Sequence, residues 1–193
     1  MSAIGAKKAL PIEKVILGID PGTQVFGYGI IQQEGIKMTA VQLGVVKLEK
    51  FKSQEIRLAK IFEKVTQLIE EFLPDEMAIE APFFGKNVQS AIKLGRAQGV
   101  SIAAAIARQI PIVEYAPKKV KQSVTGNGNA SKEQVAAMVV RLLNLKEDNF
   151  LHDATDALAV AITHINQSGR PQEVGGGWDK FVKENKGRIK GLD

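Results

Sequence analysis

Four acidic residues occupy places where a carboxylate needs a partner. Asp20 and Glu80 each close a short apolar run, and Asp153 and Asp156 open a long one. The run before Asp20, Val15-Ile16-Leu17-Gly18-Ile19, is apolar and rich in β-branched residues. That is the pattern of a strand buried on both faces, so the acid after it stands at the edge of a core. Asp153 and Asp156 are three residues apart and share a helix face. Each acid alone has an ordinary explanation. Asp20 can cap the Pro21-Gly22 turn, Glu80 can be a surface strand end, and Asp153 and Asp156 can each stabilise a helix N-terminus by about 0.3 to 1 kcal/mol. Jointly they point elsewhere, because groups beyond the ends of adjacent strands converge and crowded like charges must protonate or bind cations. An all-oxygen set without cysteine or a tight histidine pair suits Mg²⁺, with Mn²⁺ as a substitute, rather than zinc. Two such ions about 3.5 to 4 Å apart promote in-line attack of water on a phosphodiester. The chemistry expected is hydrolysis of nucleic acid. His152, next to Asp153, lies about 100° from it round a helix, so at most one of the two points squarely at the site.

Positioning these acids takes a particular set of elements. Strands are expected over about 14–20 and 25–33, joined at Pro21-Gly22, with Gly27 and Gly29 leaving room where the returning strand passes the site. Residues 36–48, with Gly44 in the middle, read as a third antiparallel strand or a bulged one. Ser53 caps a helix that ends before Pro74, and residues 76–80 form a fourth strand ending in Glu80. A long helix over 87–108 carries Val88, Ala91, Ile92, Gly95, Gly99, Ile102 and Ile106 on one stripe, with Gly95 and Gly99 permitting close packing, a second copy of the helix being one candidate partner. Residues 109–115 form a fifth strand, 117–125 a lysine-rich segment and 126–129 a flexible loop; Ser131 to Gln134 is a capping box opening a helix to about 143, and the last core helix runs from Asp153 to about 166. The result is an α/β fold, a five-stranded mixed sheet flanked by helices.

The chain has 193 residues, 26 basic against 21 acidic, a net charge of +5 and no cysteine. The modest basic excess suits an anionic partner. The cysteine count excludes disulfides and thiolate metal sites and fits a reducing cytoplasm. No apolar stretch is long enough for a membrane span. Residues 1–13 read as a leader, 14–167 as one domain and 168–193 as a basic flexible tail. Lys118, Lys119, Lys121 and Lys132 surround the glycine-rich loop and form a candidate phosphate-backbone surface, a solvated helix face being the alternative. Phe83 and Phe84 offer rings on which a base can stack, with Lys86 and Asn87 in reach of sugar or phosphate.

Four ordered stretches, GIDPGTQVFGYGII, MAIEAPFFGKNVQSAIKLGRAQGV, EYAPKKVKQSVTGNGNASKEQV and HDATDALAVAITH, closely resemble the RuvC family of Holliday-junction resolvases, within the RNase H-like nuclease superfamily. The likeness covers about residues 14–166. It implies an RNase H-like fold with helices on both faces of the sheet, and a homodimer that binds four-way junction DNA and cuts two strands symmetrically. It also implies work alongside RuvA and RuvB. By the same resemblance the four metal-binding acids fall on Asp20, Glu80, Asp153 and Asp156, the junction-contacting aromatic on Phe83, and functionally important basic positions on Lys121 and Lys132. The helix bearing Gly95 and Gly99 corresponds to the element joining the two subunits. An actin-like or sugar-kinase-like ATPase shares the strand and D-x-G-T opening but needs a second such domain. A catalytically dead junction-binding module would have no need of all four acids.

Overall fold

The computed structural model describes residues 13–82, 88–146 and 152–168. Five strands, β1 (Glu13–Asp20), β2 (Val25–Glu34), β3 (Lys37–Lys47), β4 (Glu76–Glu80) and β5 (Ile112–Tyr115), form one sheet in the order β3-β2-β1-β4-β5. The β1–β2 and β2–β3 pairings are antiparallel, while β4 lies parallel to β1 and β5 parallel to β4. The sheet is therefore mixed, as expected. Helices α1 (Gln54–Phe72) and α2 (Val88–Ile106) cover one face; α3 (Pro117–Thr125), α4 (Lys132–Leu142) and α5 (His152–Ser168) cover the other.

Alternation along β1 divides its side chains between two cores. Leu17 and Ile19 pack with Ile61, Val65 and Leu68 of α1, whereas Ile16 packs with Leu158 and Ile162 of α5. Ala154, Thr155 and Ala157 to His164 of α5 are buried, so past its first turns this helix is covered all round and lies between the sheet and α3/α4. It approaches the sheet closely because glycines face it. A Cβ on Gly18 would lie 2.2 Å from the Ala157 carbonyl oxygen, and one on Gly27 only 2.0 Å from that of Asp153. The room left by Gly27 and Gly29 is thus filled by α5, which Gly27 brings directly against Asp153.

Several local expectations are refined. The β2–β3 register shifts between Ile30 and Ile31, whose partners are Gln42 and Ala40, so of the two readings β3 is the bulged one, with Val41 the extra residue. Gly44 instead makes way for the Tyr28 ring, its absent Cβ lying 2.5 Å from the phenol oxygen. The buried face of α2 is Ala97, Gln98, Ser101, Ala104 and Ala105. The glycine-bearing stripe, left open for a partner, lies largely on the other side, with Val88 69% and Ile92 51% exposed and nothing within 4 Å of a Cβ on Gly95 or Gly99. Small side chains make the buried contact, with Val100 and Ile102 packed partly against the same core, while Val88, Ile92 and Ile106 point out. Strand β5 is shorter than expected because residues 107–110 continue in turns, with Gln109 at φ 58°.

The lysine-rich segment is a helix, α3, and its signals were present: Pro117 in the first turn and Gly126 at φ 77° closing it. The loop after it is pinned. Gln122 Nε2 donates to the Gly126 carbonyl at 2.7 Å, and the Gly128 and Asn129 amides donate to Gln122 Oε1 and Asn127 Oδ1, each at 3.0 Å. Ser131 caps α4 through the expected reciprocal box with Gln134. Residues 1–12 and 169–193, nearly all of the leader and tail, lie outside the described residues.

Candidate metal centre

Strand pairing sets the first two acids side by side. Ile19 is level with Ile79, so Asp20 and Glu80 follow at the same height on neighbouring strands, with side chains on the α5 face. The first turn of α5 brings the other two. One carboxylate oxygen each from Asp20, Asp153 and Asp156 lie within 4.8 Å of one another. Glu80 stands outside this tight trio but lines the same cleft, about 250 Å³, with Asp20, Asp156, Lys121 and Lys132. The cleft wall also includes Pro117, Val120 and Val135, apolar residues that sequence reading did not single out.

Charge balance in the cleft is incomplete. Two unit charges 4.8 Å apart repel by about 3 kcal/mol at an effective dielectric constant of 20. Burial, followed by the Glu80 and Asp156 charges, raises Asp20 well above the usual carboxylate range. Burial and the Asp156 charge push Glu80 up to about 7 against the opposing pull of Lys132 and Lys121. Lys132 Nζ donates to Asp156 Oδ2 at 2.9 Å, and that hydrogen bond raises the lysine's own pKa. One lysine on one carboxylate leaves the others crowded. Hard oxygen donors on three separate elements, facing a shared space, with Asp20 and Glu80 raised by burial and crowding, fit a divalent cation.

Other candidate residues lie elsewhere. Lys119 borders a separate hollow with Gln122, Ser123, Asn166 and Gln167, and the stem of Lys118 lies along Gly128. His152 is the exposed first residue of α5, and its carbonyl accepts from Thr155 Oγ1 at 2.8 Å. Phe83, Phe84, Lys86 and Asn87 lie outside the described residues. A buried brace at the far end of α5 was not expected from the sequence. The His164 ring is hydrogen-bonded through Nε2 to Glu76 and through Nδ1 to the Tyr115 hydroxyl, the latter at 2.9 Å, while Lys14 Nζ reaches the other Glu76 oxygen at 2.5 Å. It ties α5 to β1, β4 and β5. A histidine inside an apolar helical run, here Ile162-Thr163-His164-Ile165, was the available signal.

Comparison with known proteins places this arrangement among relatives. The profile of the family described as Crossover junction endodeoxyribonuclease RuvC matches residues 16–164. The protein of that name from Cytophaga hutchinsonii is 60% identical over 179 residues, covering 93% of this chain and 90% of the relative. Its counterpart from Porphyromonas gingivalis is 54% identical, covering 93% of this chain and 99% of the relative. Among solved structures, the T. thermophilus RuvC in complex with Holliday junction substrate superposes with a TM-score of 0.75 at 35% identity, covering 80% of this chain and 94% of that one. Among the described residues no helix is long and apolar enough to cross a membrane.

Proposed function

The chain belongs to the RuvC family of crossover junction endodeoxyribonucleases, and we propose that it resolves four-way DNA junctions by paired symmetric nicks in recombination and repair, with Asp20, Glu80, Asp153 and Asp156 holding two Mg²⁺ ions. The convergence of three carboxylates within 4.8 Å beside Glu80, in a cleft flanked by two lysines, carries this reading. Bound Mg²⁺ would supply charge compensation at the attacked phosphate and a lowered pKa for the attacking water. Asp20 and Glu80 are fixed by strand pairing, and Asp153 and Asp156 by the packing of α5 on Gly18 and Gly27, so the donors are preorganised. Lys132 orients the Asp156 carboxylate through its hydrogen bond, and Lys121 lines the cleft where a phosphate would enter. Glu80, its pKa pushed up to about 7, is about half protonated at neutral pH, and a bound cation would displace that proton.

Two further parts of the reading rest on surfaces. The outward stripe of α2, with Val88, Ile92 and Ile106 exposed around Gly95 and Gly99, suits a homodimer contact, since a large apolar patch seeks cover. Phe83 is proposed to stack in the junction, with Phe84, Lys86 and Asn87 beside it. RuvA and RuvB are the proposed protein partners, and the cytoplasm the proposed compartment. The test is cleavage of a synthetic four-way junction against linear duplex, with Mg²⁺ or chelator. Junction-selective, chelator-sensitive, paired nicking is expected. Equal cutting of both substrates, or cutting that survives chelation, would overturn it.

A further inference from the structure

A second basic surface lies on the opposite flank of the acid cluster from Lys121 and Lys132. It is the β3–α1 connection, with Lys47, Lys50 and Lys52 all exposed. Its place follows from the sheet register. Asp20 is level with Gly27, and Val25, two residues before Gly27 on β2, is paired with Lys47. Alternation puts Asp20, Gly27, Val25 and Lys47 on one face, the face that carries α5 and Asp153. Two strand spacings across and two residues along put the Lys47 Cα about 12 Å from that of Asp20. That distance corresponds to about three to four base steps along a DNA strand.

The connection is fixed to the segment that follows Asp20. The Gln24 carbonyl accepts from the Leu48 and Glu49 amides at 2.7 and 3.1 Å. Arg57 donates from Nε to the Phe51 carbonyl at 2.7 Å and from Nη1 to the Thr23 carbonyl at 3.2 Å, locking the two loops together. Leu48 is fully buried, Phe51 packs against the α1-side core, and Lys50 Nζ lies 5.2 Å from the Phe51 ring centroid. The lysines thus project from an anchored loop. Among the described residues none of the three forms an ion pair, whereas Lys14, Lys60 and Lys132 do. Glu49 is the acid among them, and nearby Glu55 is engaged by the Ser53 hydroxyl.

We infer that Lys47, Lys50 and Lys52 bind the phosphates of a junction arm on the β3 side of the acid cluster, so that the strand being cut is gripped on both flanks. This rests on the reading of the cleft as a DNA-cutting site. The surface carries no base-reading pattern, so it strengthens and positions binding without selecting sequence.

The test is the salt dependence of binding to a synthetic junction in the presence of Ca²⁺, with Mg²⁺-dependent cleavage measured alongside. Each phosphate contact contributes about 0.9 to the slope of log affinity against log salt. Lys47→Ala/Lys50→Ala/Lys52→Ala is expected to lower that slope by about 2.7, which makes the affinity lost in a fourfold rise in salt about 40-fold smaller than for the parent. Lys50→Gln and Lys52→Gln singly are each expected to lower it by about 0.9. The triple arginine variant is expected to keep the parent slope, and Lys37→Ala, at the other end of β3, to leave it unchanged. A triple alanine variant with the parent slope, or an equal drop for Lys37→Ala, would overturn the inference while parent cleavage stood. A parent that binds but does not cut with Mg²⁺ would overturn the function reading instead, with the slopes still judging the surface.

Discussion

Raising the pH in the absence of divalent metal should destabilise this protein through Glu80. Burial and the neighbouring Asp156 charge raise its pKa from 4.5 to about 7. A carboxyl with a folded value above its unfolded one binds its proton more tightly when folded, so stability is full below about pH 4.5 and declines until the pH passes about 7. The shift corresponds to about 3 kcal/mol at 1.36 kcal/mol per pKa unit. For a chain of this size that is about 6 to 12 °C in melting temperature. Asp20, raised for the same reason of burial, adds loss of the same sign. Glu76 acts oppositely and in a different window. Its burial is outweighed by hydrogen bonds from Lys14 and His164, so its contribution is lost only as pH falls below the ordinary carboxylate range. Saturating metal should reverse the high-pH loss, since a ligand at about 100 times its Kd stabilises the folded state by about 2.7 kcal/mol. The assay is urea denaturation across this pH range with chelator or with Mg²⁺, on the parent and Glu80→Gln. The parent should lose stability with rising pH in chelator and recover it in metal, and Glu80→Gln should show a much shallower decline. Metal-free stability that is flat or rising over the window, or an unchanged decline in Glu80→Gln, would refute the electrostatic account of the cleft.

Asp20→Asn should slow junction cleavage by at least about 10²-fold without weakening junction binding, because the lost charge repels phosphate; single-turnover cleavage and a gel-shift titration check both halves. Gly27→Ala should cost about 1 to 3 kcal/mol by overpacking, since the new Cβ would meet the Asp153 carbonyl at 2.0 Å; it should also weaken Mn²⁺ binding, as seen by titration calorimetry. His164→Ala should cost about 1 to 3 kcal/mol by stranding the Tyr115 hydroxyl and one oxygen of the Glu76 carboxylate, read from the urea midpoint, and Tyr115→Phe should cost less because Glu76 then keeps both His164 and Lys14.

The parts of the fold read correctly from sequence are those where local chemistry and the tertiary outcome agree. Ser53 and Ser131 cap their helices because side-chain oxygens satisfy free amides at no tertiary cost. Strand β1 was legible because burial on both faces leaves no polar residue in its centre. Periodicity located the apolar stripe of α2 without saying what covers it, and the core takes Ala97, Ala104 and Ala105 while Val88, Ile92 and Ile106 face outward. The position of the bulge, at Val41, was invisible for a related reason, since register belongs to a pair of strands and one strand's residues cannot reveal it.

The acid cluster was easier to see than the surfaces around it for a reason rooted in geometry. Carboxylates at the ends of buried strands are positioned by the core, so their convergence follows once β1 and β4 are neighbours. Lysines owe their positions to the loops that carry them. Lys118, Lys119 and Lys121 fall within four residues, yet α3 turns only Lys121 into the cleft, because Val120 and Val124 face the core and fix the helix's rotation. Conversely, Lys47 is more than 70 residues from Lys121 in the chain, and the β2–β3 register sets it beside the same acids. Sequence proximity therefore groups lysines that the fold separates, whereas strand-end acids converge as their spacing suggests. Which lysines flank the cleft has to be read from helix rotation and strand register.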